Sequence, residues 1–131
     1  MIPATLAATL AAAGFLVIAA FQLALALGAP LGRAAYGGRS AELSPAFRRA
    51  SAGAVVIWLL AAVLILGAGG VIAVPLPDVV LVVGAWVLVV LSVLGAIVNL
   101  ASSSPWERFG WAPFSAALAV LSFIVASRPM A

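Results

Sequence analysis

Four stretches of this chain hold no charged side chain: residues 4–27, 50–68, 79–101 and 109–127. Each exceeds the ~18 apolar residues that mark a membrane-spanning helix. At ~1.5 Å per residue, runs of this length reach across a hydrocarbon core about 30 Å thick. The third run is rich in β-branched residues, which in water would suggest a strand. Inside lipid only a helix or a closed barrel satisfies every backbone N–H and C=O, and these lengths are those of helices. The sequence therefore predicts an all-α polytopic membrane protein. Its single domain, 1–131, is expected to hold helices at about 3–27, 45–67, 78–101 and 105–127, arranged as an up-down bundle.

Composition narrows the classes. Of 131 residues 67% are apolar and 7% charged, whereas a soluble domain has about a quarter charged residues. An ordinary water-soluble globule, a disordered tail and a soluble nucleic-acid binder are excluded, since the basic character rests on a net charge of only +3. The basic side chains are all Arg, and Cys, His and Lys do not occur. A chain without them has no disulfide, no thiolate nucleophile, no imidazole base or metal ligand, and no Schiff-base lysine. No catalytic residue, metal or cofactor is expected. Glu107 beside Arg108 at the interface is the one place where a lipid-modifying site is conceivable, and it is the weakest reading.

The ends of the runs carry helix punctuation. Ser44 before Pro45 is an N-cap with Pro at the first helical position. Ser104-Pro105-Trp106-Glu107 adds Glu at capping-box spacing. Asp78 after Pro77 complements the dipole of the third helix, and Gly67, Gly69 and Gly70 end the second. Pro113 is expected to free the Phe109 carbonyl and kink the fourth helix near its start. No basic residue precedes Arg33 and the first apolar core is long, so the first run reads as a retained span rather than a cleaved signal.

Arg counts orient the spans. Arg33, Arg39, Arg48, Arg49 and Arg108 fall to one side and Arg128 to the other. The Arg-rich side is expected to be cytoplasmic, leaving both termini outside. Tyr36, Trp106 and Trp111 fall near that interface, where aromatic belts form. The Gly/Arg-rich loop 28–44 is long for a connection between adjacent membrane helices. The five Arg either contact anionic lipid phosphates or serve topology alone. Ser44-Pro45-x-x-Arg48 recurs as Ser104-Pro105-x-x-Arg108, which fits either a duplicated hairpin or a generic start for a membrane helix.

The predicted spans hold no ionisable group except at their ends, which argues against proton- or cation-coupled carriers. Their costliest polar groups are Gln22 and Asn99. These are expected to hydrogen-bond each other and join the first helix to the third, or to line a ligand or ion path with Ser92 and Ser115. Trp58 and Trp86, both mid-span, are core residues or the walls of an apolar pocket. Small-residue faces at Ala4, Ala8 and Ala12, and at Ala112, Ser115, Ala116 and Ala119, allow close helix approach within the bundle or between copies.

The segments FQLALALGAPLG, AAYGG, LSPAFRRAS and NLASSSPWERFGWAP resemble a family of small, uncharacterised four-helix integral membrane proteins from high-GC bacteria. The resemblance covers most of the chain and is best marked at Gly28–Gly32, Gly37-Gly38 and Asn99 through Pro113. It implies the bacterial inner membrane and a pair of spanning hairpins, and brings no activity with it. The expected function is association: binding a lipid or apolar small molecule between helices, or acting as accessory subunit of a larger membrane complex. The alternative is a homo-oligomeric channel or transporter with an uncharged polar path.

Overall fold

The structure is a computed structural model that describes residues 1–129. Four helices dominate it: α1 (Ala4–Ala26), α2 (Pro45–Ala68), α3 (Asp78–Leu100) and α4, which opens with a π-helical turn at Glu107–Trp111 and continues as α-helix over Ala112–Ala126. No strand occurs among the described residues. All four are long and apolar enough to cross a membrane. Their outward faces carry large apolar side chains, such as Leu60, Val98 and Val120, each at least 60% exposed. Such surfaces are stable only against an apolar solvent or a partner.

The helices alternate in direction. The start of α2 meets the end of α1, and the start of α4 meets the end of α3. At the opposite end Gly67 faces Leu81. α1 packs on α2, α3 packs on α4, and α1 with α4 joins the two hairpins. Small residues make these approaches possible. A Cβ on Gly69 would collide with Ala8, and one on Gly14 with Leu118. Ala8, Ala12, Ala112, Ser115 and Ala119 are buried inside the bundle, whereas Ala116 is exposed and Ala4 half-buried. The small-residue faces thus serve packing within the chain.

The helix ends are closed by distinct devices. Gly28 (φ +93°) and Gly70 (φ +73°) take the left-handed conformation just past α1 and α2. Ala29 N–H donates to the Ala24 carbonyl and Val71 N–H to the Leu66 carbonyl, both at 2.9 Å, completing Schellman caps. Ser44 Oγ caps α2 by accepting from Phe47 N–H at 3.4 Å. The π turn is the structural answer to Pro113: Ala112 N–H donates to the Glu107 carbonyl five residues back, so the turn widens before the residue that has no N–H.

Segment 28–44 folds as a strap over the end where α1 and α3 terminate, hereafter the strap end. It contains two short 3-10 turns, Gly32–Ala34 and Tyr36–Gly38. Gly32 N–H donates to the Ala41 carbonyl at 2.9 Å, closing the strap on itself. The short 101–104 turn lies at the same end.

Candidate functional site

Beneath the strap the bundle does not fill. A cavity of about 1100 Å³ occupies the half of the bundle nearest the strap end, bounded by all four helices and roofed by the strap. Its existence follows from where α2 and α3 meet. Leu64 covers Gly84 and Leu81 covers Gly67, so these helices close together at the far end. Towards the strap, the wall is formed by Phe47 and Trp58 of α2 and by Leu91, Gly95 and Val98 of α3. The cavity is not enclosed, and Phe47, Leu91 and Val98 of its α2 and α3 walls are themselves exposed.

The far half of the bundle is tightly packed. Ala7, Ala11, Phe15, Ile65 and Ala85 are fully buried, and Leu118 is nearly so. Trp58 stacks on Phe15 with ring centroids 5.6 Å apart and, with Ile18 and Leu118, lines the cavity where it borders this packed half. Phe21 and Trp111 pack at 4.8 Å, and Trp111 meets Phe114 edge-on at 5.5 Å. Trp111 is therefore a cavity wall rather than part of an interfacial belt, while Trp106 is 68% exposed.

At the strap end Arg39, Ser40, Glu42, Ser102, Ser103 and Glu107 give the cavity a polar lining, and deeper polar groups come from three helices. Gln22 of α1, Ser92 and Asn99 of α3, and Ser115 of α4 all face the cavity. No hydrogen bond joins Gln22 to Asn99, contrary to the expected link between α1 and α3. α1 packs against α2 and α4, and the cavity lies between the two amides. Gln22 Oε1 and Ser92 Oγ are buried without a partner, and Ser92 is only 4% exposed. Buried polar atoms are rarely left in this state. A third unpartnered hydroxyl, Ser122, lies about two turns further along α4, outside the cavity lining. Trp86 is elsewhere. It is 41% exposed on the outer face of α3, edge-on to Phe123 at 5.5 Å, because one face of α3 points away from the bundle.

Glu107 holds the roof. Its carboxylate accepts from Gly37 N–H at 3.1 and 3.3 Å and, at very short range, from Ser102 Oγ. The side chain is 7% exposed. The predicted capping box is therefore half made. Ser104 Oγ accepts from Glu107 N–H at 3.4 Å, but Ser104 N–H donates to Ser102 Oγ and not to Glu107. The carboxylate is captured by the strap instead, whose Gly37 N–H is freed by a left-handed turn. Tyr36 (φ +48°), Gly37 (φ +83°) and Gly38 (φ +70°) are consecutive left-handed residues. Gly38 has no alternative, since a Cβ there would lie 2.7 Å from the Arg33 carbonyl oxygen and 2.8 Å from Ser104 Cβ. Tyr36 tolerates its conformation because its ring stacks on Phe47 at 4.4 Å and its hydroxyl bonds buried Ser51 Oγ at 2.9 Å.

The Arg residues divide by task. Arg48 donates through Nε and Nη2 to the Ala26 carbonyl, both at 3.2 Å, and Arg108 Nε donates to the Leu100 carbonyl at 3.3 Å. Each thus caps the final residue of the preceding helix. Arg33 Nη1 donates to the Gly38 and Arg39 carbonyls at 3.2 Å, and Ser104 Oγ donates to the Arg33 carbonyl at 2.6 Å. Arg39 and Glu42 lie on the cavity rim, and Arg49 is exposed at the start of α2. Arg128 approaches Gly70 at the other end of the bundle.

Sequence reasoning missed how the roof of the site is held. Tyr36 and the strap glycines were legible as interfacial loop residues, but not as the seat for a carboxylate 70 residues away. Gln22, Ser92, Asn99 and Ser115, read from the sequence as a possible path lining, do share one cavity, together with Trp58 but without Trp86. Comparison with protein-family models, curated proteins and solved structures finds no match to this chain.

Proposed function

We propose that this chain is a small, non-enzymatic membrane protein that acts by association, holding a lipid or an apolar small molecule in the cavity beneath its strap. The observation that carries the reading is the cavity of about 1100 Å³ with aromatic walls and the unpartnered polar atoms of Gln22 and Ser92. Ligand sites are apolar concavities with a few convergent polar groups, commonly about 300–1,000 Å³ in volume. An enzymatic reading is disfavoured by the absence of Cys, His and Lys and by the engagement of the Glu107 carboxylate with Gly37 and Ser102. In this reading the four helices span a bacterial cytoplasmic membrane, as the family resemblance implies, with the strap inside and both termini outside. The five Arg at the strap end against Arg128 at the other support that orientation. Arg39 and Arg49 are then the cations free to meet anionic lipid, while Arg33, Arg48 and Arg108 also brace the backbone.

Native mass spectrometry of the protein extracted from its own membrane tests the reading. A retained small molecule or lipid of defined mass is expected. A chain that carries none and binds none on titration refutes it. A periplasmic alkaline-phosphatase fusion at the C-terminus should be active, and an inactive fusion reverses the orientation.

A second reading, transport through an uncharged polar path in a homo-oligomer, draws on the alignment of Gln22, Ser92, Asn99 and Ser115 along one cavity. The packed layer of Phe15, Trp58 and Leu118 below it weighs against a through-path in one chain. Liposome flux that falls in Gln22→Leu and Asn99→Leu would favour transport, and a strictly monomeric protein without flux would exclude it. The exposed apolar surface also suits a place within a larger membrane complex.

A further inference from the structure

We propose that the cavity selects an uncharged amphiphile whose head bears a hydroxyl, as in a diacylglycerol or a long-chain isoprenoid alcohol. The head would pair with Gln22 or Ser92, with the chain leaving through the α2–α3 seam. The inference rests on reading the cavity as a ligand site and adds the chemistry of its occupant.

The polar demand comes first. Gln22 Oε1 is a buried acceptor with no donor, and Ser92 Oγ, on a residue 4% exposed, is a buried hydroxyl with no partner. Leaving such groups unpaired is costly, and a ligand that pairs with them gains what the protein alone forgoes. A hydroxyl both donates and accepts, so a neutral polar head offers the bond that each of these side chains lacks once it turns into the cavity. Asn99 and Ser115 face the same space and add further neutral donors and acceptors.

The charge balance then excludes ionic heads. A buried phosphate requires cations in the cavity wall. Arg33, Arg48 and Arg108 direct their guanidinium groups to backbone carbonyls of the strap and helix ends. Arg39 lines the cavity from the strap but is solvent-exposed, and Glu42, exposed in the same lining, offsets its charge. The nearest buried charge is the Glu107 carboxylate, which repels an anion. Nor does it invite a cation, since Gly37 N–H and Ser102 Oγ already occupy it.

The apolar part follows from the walls. Phe21, Trp58 and Trp111 present ring surface, while Phe47, Leu91 and Val98 flank the seam and are themselves at least 40% exposed to the surroundings. A hydrocarbon chain leaving there would pass from aromatic wall to bilayer without crossing a polar layer.

The test uses the full chain in detergent or nanodiscs, titrated with dioleoylglycerol, a long-chain polyisoprenol, dioleoyl phosphatidic acid and a long-chain alkylamine, and read by native mass spectrometry. At least one neutral probe is expected to bind ~10-fold or more tightly than either charged probe, the size of one good hydrogen bond and an avoided charge burial. Which neutral probe wins identifies the source of the hydroxyl. Gln22→Leu and Ser92→Ala should each weaken that binding ~5- to 10-fold while leaving the helical circular dichroism intact. Trp86→Leu, outside the cavity, should leave it unchanged. Equal or tighter binding of a charged probe overturns the neutral-head assignment while the cavity remains a ligand site. Binding of no probe removes the ligand site itself.

Discussion

The two helical hairpins begin alike and end differently. Ser44-Pro45-x-x-Arg48 opens α2, and Ser104-Pro105-x-x-Arg108 opens α4. In both, the Ser side chain accepts from the N–H three residues on, and the Arg donates to the last carbonyl of the preceding helix. The first motif follows a long strap and does little more than cap. The second follows a turn of four residues, 101–104, and is drawn into holding that strap. Ser104 also donates to the Arg33 carbonyl, and Glu107, where the first motif has Phe47, seats the Gly37 turn. The difference shows that one local motif can be capping in one context and tertiary docking in another, decided by what the chain brings opposite it.

Substitution should expose that asymmetry most strongly at Glu107. Glu107→Ala leaves the Gly37 N–H and Ser102 without their acceptor, and is expected to cost ~3 kcal/mol, as for a lost buried charge-assisted bond. It should also release the strap to protease between residues 28 and 44. Glu42→Ala, at the exposed rim, should do neither. Thermal unfolding in detergent with limited proteolysis measures both, and equal behaviour of the two variants would break the proposed docking role.

Ser104→Ala should follow, at ~2 kcal/mol, because two bonds are lost at a residue 3% exposed, while Ser44→Ala loses one exposed cap at ~1 kcal/mol or less. If the two Ser variants cost the same, the hairpins are equivalent after all. Tyr36→Phe keeps the ring stacked on Phe47 but orphans the buried Ser51 hydroxyl, for an expected ~1 kcal/mol. The smallest effects belong to the shared feature: Arg48→Ala and Arg108→Ala should each cost under ~1 kcal/mol, with Arg48 the larger because two of its N–H groups reach one carbonyl. A large gap between the Arg variants would show that even this common element has diverged.

How much of this was legible beforehand differs by residue. The helix bounds were readable to within two residues, since apolar run length, Pro45, Asp78 and the closing glycines are local signals. The rotation of each helix was not. The spans are apolar on nearly all sides, so no stripe of hydrophobic residues marks the inward face. That is why Trp58 and Trp86 read alike, although one lines a cavity and the other faces outward. It is also why Gln22 and Asn99 were expected to meet: both are polar and near helix ends, but only the separation of α1 from α3 shows that a void lies between them. Glu107 was assigned to its own helix because capping-box spacing is a local rule. The competing acceptor site, the Gly37 N–H, lies 70 residues away in sequence.

The sequence by itself determined the number of helices and that each is long and apolar enough to cross a membrane. Backbone groups in lipid must be satisfied within the segment, so length and lack of charge suffice. It also determined that no ionisable side chain enters the middle of the spans. The tertiary structure decided which polar groups share a space and which carboxylate holds the strap. Those outcomes depend on where α2 and α3 close together, through Leu64 on Gly84 and Leu81 on Gly67, and where they part. Close approach of helices is set by small residues on two chain segments at once, and no single stretch of sequence contains both.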